Sequence, residues 1–199
     1  SASAGLNGSI TPNGATTVSY GDSLAFAFTP ATGYHVDSVI VDGSLQPPSP
    51  GYVFRNVTAV HSIRVSFAIN RYTLSPSAGP NGSIAPSGAV VVNYGSNQAF
   101  TFAPATGYHV DSLIVDGARL APDSAYTFTN VIADHAIRVT FAINRYAITA
   151  SSGPNGAVLP AGITYVNYGA SQDYLIKAKP DFHVDSISHR LDSRTRTTN

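Results

Sequence analysis

The segment Thr29–Ser38, TPATGYHVDS, returns 74 positions later as Ala103–Ser112, APATGYHVDS. The same interval relates Asn7-Gly-Ser-Ile to Asn81-Gly-Ser-Ile and to Asn155-Gly-Ala-Val, and Tyr20-Gly to Tyr94-Gly and Tyr168-Gly. His-Val-Asp-Ser appears a third time at His183–Ser186. A fixed register of this kind makes the chain a tandem array, in which one small unit is folded again and again. It divides the sequence into modules at 1–70, 71–145 and 146–199.

The middle copy carries the whole plan. Strands are predicted at Tyr72–Ser75, Ser83–Pro86, Ala89–Tyr94, Gln98–Pro104, Tyr108–Val115, Tyr126–Phe128 and His135–Ile143. Turn residues separate them: Gly79-Pro80-Asn81-Gly82, Pro86-Ser87-Gly88 and the hairpin dipeptide Asp116-Gly117. In the last strand Ile137, Val139, Phe141 and Ile143 alternate with Arg138 and Thr140, which sets an inward and an outward face. Seven short strands in 74 residues predict an all-β fold, either a small sandwich or a β-grasp-like module, without substantial helix. Composition agrees: there is no Glu or Met, only two Lys, and 17 Gly and 13 Pro. These choices favour strands and turns over helices.

Residues Phe67–Tyr72 and Phe141–Tyr146 run from one copy to the next without a linker, so neighbouring modules are expected to hold a fixed relation. The first copy lacks the opening strand that Arg71–Ser75 gives the second. The third follows the pattern to Ile187 and then departs into a polar, basic tail, 188–199, so it lacks its last two strands. Its open apolar face and sheet edge are expected either to be covered by another chain, which makes self-association through the third module a candidate, or to leave the copy partly disordered.

Taken in order, GPNGSIAPSG, NYG, AF-TF-P-TGYHVDSLIVDG, YTFTNV and DHAIRVTFA resemble the divergent internalin B-type repeat, and the likeness extends over nearly all of residues 1–187. The resemblance implies a compact β module, related to β-grasp folds, found in tandem in secreted and surface-anchored bacterial proteins. There it serves as a spacer, adhesive or binding element. It brings no catalytic residues.

Charged residues make up 11% of the chain and balance to zero. Nucleic acid and anionic membranes require a basic face, so neither is an expected partner. No apolar run reaches the length of a membrane span. The absence of Cys removes thiol chemistry, disulfides and Cys-zinc sites, and fits an extracellular location. With no start Met or signal peptide, the chain reads as a segment of something longer.

The repeated His-Val-Asp supplies the candidate site: His35 with Asp37, His109 with Asp111, and His183 with Asp185. Residues two apart on a strand share a face, and inward Val36 and Val110 turn each His and Asp to solvent side by side. A pair of this kind can orient an imidazole for base catalysis or contribute to a divalent metal site. Two ligands are too few for a metal, so a loop, a neighbouring module or His189 would have to add to them. The plainer reading is a hydrogen bond or ion pair on an exposed strand. His61 and His135 read as rim residues bonding a turn, and Asp42 and Asp116 as turn formers. The recurring tyrosines suggest packing or a sugar-stacking face.

No cofactor is expected, and no GxSxG, HExxH, phosphate loop or calcium loop is present. The leading expectation is a non-enzymatic spacer and binding scaffold, secreted or on a bacterial surface, with carbohydrate or a surface protein as partner. The alternatives are a hydrolase using the His-Asp pairs and a carbohydrate-binding module.

Overall fold

In the computed structural model, described over residues 1–189, the chain is built of strands, with no α-helix among the described residues. The first copy contains β1 (Ala2–Ala4), β2 (Gly8–Thr11), β3 (Leu24–Pro30), β4 (Tyr34–Val41), β5 (Ser44–Gln46), β6 (Gly51–Phe54) and β7 (Ile63–Ile69). The second contains β8 (Arg71–Ala78), β9 (Gly82–Ala85), β10 (Val90–Asn93), β11 (Gln98–Pro104), β12 (Tyr108–Val115), β13 (Ala118–Leu120), β14 (Ala125–Phe128) and β15 (His135–Ile143). The third contains β16 (Arg145–Ala150), β17 (Gly156–Leu159), β18 (Gly162–Asn167) and β19 (Leu175–Ala178).

The second copy is a two-sheet sandwich. One sheet has the order β10-β8-β15-β12-β13 and the other β14-β11-β9. The first copy repeats the smaller sheet as β2-β3-β6 and the larger one, without a counterpart of β10, as β1-β7-β4-β5. The inward residues meet between the sheets. Phe100 and Phe128 cross edge to face at 6.1 Å and 87°, and Phe26 and Phe54 do the same at 5.9 Å and 83°. Leu74, Leu113, Ile137 and Val139 are buried around the first pair, and Val39, Ile63 and Val65 around the second. Each such side chain contributes about 1.5–3 kcal/mol through removal from water.

Three sequence expectations are corrected by this geometry. The second copy has eight strands rather than seven, because the three exposed residues of β13 close a hairpin with β12 after Asp116-Gly117. The first copy keeps the later part of its opening strand: β1 pairs in parallel with β7, Ala2 opposite Ile63, as Pro76 lies opposite Ile137 in the second copy. Among its described residues the third copy lacks more than its last two strands. Residues 182–189, aligned with β12, form no strand, and none of residues 146–189 is buried. The reason is physical: β12 pairs along its length with β15, and the described part of the third copy contains no counterpart of β15.

Candidate functional site at the joint between modules

A single residue separates β7 from β8, and another separates β15 from β16. These residues, Asn70 and Asn144, are the hubs of two matching joints. The Asn70 N–H donates to Gly33 O and its carbonyl accepts from Tyr94 N–H, both at 2.8 Å. His35 Nδ1 donates to its side-chain oxygen at 2.7 Å. An amide oxygen only accepts, so the proton of the imidazole sits on Nδ1. At the second joint Asn144 N–H donates to Gly107 O, its carbonyl accepts from Tyr168 N–H, and His109 Nδ1 donates to Asn144 Oδ1, each at 2.8 Å.

The glycine in Thr-Gly-Tyr-His is required twice over. Gly33 and Gly107 have φ of 81° and 83°, the left-handed region that side chains avoid. The space above each is also taken, since a Cβ would run into the ring of Tyr94 or Tyr168 in the following module. In the third copy Asp181, with φ 66°, stands at this position.

In the first two copies the structure sends the two members of the His-Val-Asp pair to different partners. A β-bulge falls between Val36 and Ser38, and again between Val110 and Ser112. His35 and His109 reach the joint, whereas Asp37 and Asp111 turn to the neighbouring strand. Asp37 accepts from Ser66 Oγ at 3.0 Å, and Ser66 is bonded to Ser38 at 2.6 Å. Asp111 accepts from Thr140 Oγ1 at 3.1 Å, which contacts Ser112 at 2.6 Å. Arg119 approaches Asp111 at 4.0 Å. His183, Asp185 and His189 lie exposed in the irregular stretch 179–189. Among the described residues no three His or Asp side chains gather at one point.

The closest His-Asp contacts join different parts of the sequence. His61 Nδ1 donates to Asp42 Oδ2 and His135 Nδ1 to Asp116 Oδ2, both at 2.7 Å. The imidazoles stack on Phe54 and Phe128 at 4.8 Å. Asp42 and Asp116 take φ of 49° and 50° in their Asp-Gly turns. The Ser62 amide, with His61, holds the Asp42 carboxyl below its ordinary value. At Asp116 burial pushes upward, but the Ala136 amide and His135 outweigh it, and the carboxyl is again lowered. These pairs pin the start of the last strand to the hairpin turn.

The family model for the divergent InlB B-repeat domain matches residues 1–49 and 72–145. The chain belongs to that family. Its matched residues include Gly33 and His35 of one joint and Gly107, His109 and Asn144 of the other, whereas Asn70 and Tyr168 lie outside the matched spans. InlB-type repeats occur in bacterial surface or secreted proteins. No curated protein matches the sequence.

Proposed function

We propose that this InlB-type repeat region is a spacer and adhesion scaffold of a secreted or cell-surface bacterial protein, without enzymatic activity. One observation carries the reading: the Gly–Tyr and His–Asn joint is made twice with the same partners. Repetition of a joint fixes the pitch between modules, which is what a spacer requires. The use of His35 and His109 as joint braces, and of Asp37 and Asp111 as strand braces, accounts for the repeated motif in structural terms. Carbohydrate or a surface protein is the proposed partner of the scaffold.

The chain contains no Cys, so spin labels can be placed without background. Labels on Ser44→Cys and Ala118→Cys, in the exposed hairpins of successive modules, should give one narrow distance distribution. A broad distribution spanning the reach of a flexible tether would defeat the spacer reading. Retention on immobilised polysaccharide or surface protein tests the adhesive half, which fails if neither class retains the chain.

A further inference from the structure

One edge of the larger sheet is left half covered in both of the first two modules. In the first, β5 pairs with β4 only from Val39 to Val41, with Gln46 opposite Val39. A longer β5 would set Pro47 opposite Ser38 and Pro48 opposite Asp37. Proline has no N–H to give a ladder, so the strand stops at Gln46. In the second, β13 covers only Leu113–Val115 of β12 before Ala121 and Pro122.

The uncovered half carries bonding groups. Asn70 N–H donates to Gly33 O, so the rung between these residues is a bonded one. Bonded rungs alternate in an antiparallel ladder, so His35 bonds toward Ala68 while Val36 turns its N–H and C=O to the free edge. Beside that edge lies an open groove of about 380 Å³, lined by Phe28, Tyr34, His35, Val36, Pro48 and Pro50. The groove adjoins the joint, since His35 also braces Asn70. Charge distinguishes the two copies. Asp111 has Arg119 of β13 at 4.0 Å. Leu45 stands at that place in β5, and Asp37 pairs with no cation among the described residues.

We propose that the free half of β4 is a strand-addition site for an extended peptide in which a basic residue lies between two apolar ones. The peptide runs antiparallel to β4 and in line with β5. Its backbone bonds Val36, and its two apolar side chains, which share a face, enter the groove. The cation between them points the other way, onto Asp37, in the place that Arg119 takes at Asp111. Main-chain pairing supplies affinity, and the groove and the carboxylate supply selectivity. The site rests on the surface-protein arm of the adhesive reading and specifies the kind of segment that the scaffold holds.

The test adds acetyl-Thr-Val-Arg-Val-Thr-amide to the full chain and follows amide exchange together with calorimetric binding. The Val36 amide should gain protection. Glu in place of the peptide's Arg should weaken binding by about tenfold, through like charge beside Asp37. Asp37→Asn should erase the difference between the two peptides. N-methylation of alternate peptide residues should abolish binding for the set that faces β4 and spare it for the other. Tolerance of both methylated sets, equal binding of the Glu peptide, or protection that spares Val36 would overturn the assignment. If the chain is nonetheless retained on a surface protein, the adhesive reading stands and this site alone is removed.

Discussion

The ring of Tyr168 occupies the space that a side chain on Gly107 would need, although the two residues belong to different modules. Gly107→Ala therefore carries two penalties. The left-handed backbone disfavours a Cβ by about 1–2 kcal/mol, and the tyrosine must also leave its seat. Gly117→Ala supplies the control, because it shares the positive φ but has nothing within 4 Å. Urea denaturation should show the larger loss for Gly107→Ala, and ¹⁵N relaxation should show the second and third copies tumbling more independently in that variant alone.

The imidazole–amide bond of the joint is exposed, and its net value should be modest. His109→Ala and Asn144→Ala should each destabilise by about 0.5–1.5 kcal/mol. The double variant should lose less than the sum, since both remove the same contact. Strict additivity in a thermodynamic cycle would show that His109 braces nothing.

Acid should weaken the second module through Asp116. Its folded-state carboxyl titrates below the ordinary value of 3.8, so its stabilisation is present above that pH and is lost as pH falls through the folded value. Asn also tolerates the left-handed turn, and Asp116→Asn should retain the hairpin while flattening the acid limb of stability against pH. Denaturant midpoints measured at a series of pH values below 4.5, roughly where a carboxyl begins to titrate, check the difference.

Leu74 is fully buried, whereas Leu45 is 73% exposed. Leu74→Ala should destabilise the second module by about 2–5 kcal/mol through lost burial and the cavity left behind. Leu45→Ala should change stability by no more than about 0.5 kcal/mol. Calorimetry of both variants distinguishes the two sites.

The alternation of Ile137, Val139 and Phe141 made the last strand legible from sequence, as did Asp116-Gly117 for its hairpin. The split of His109 from Asp111 was harder to read, because a bulge breaks the two-residue period on which the shared face depended. A trace of it exists: Val110, Leu113 and Val115 are spaced by three and then two, and all three pack inward. The joint was hidden for another reason. Gly107 and Tyr168 each recur for local reasons, and nothing in a single repeat says that one touches the other across a module boundary. The exchange of Gly for Asp181 in the third copy is the sequence mark most closely tied to that contact.

The parallel pairing of β8 with β15 bears on how the array carries tension. A module pulled by its ends is drawn at the start of β8 and at the finish of β15, in opposite directions along neighbouring parallel strands. The rungs from Leu74–His135 to Ala78–Val139 are then loaded in shear, so they share the strain and give way together rather than peeling open one by one.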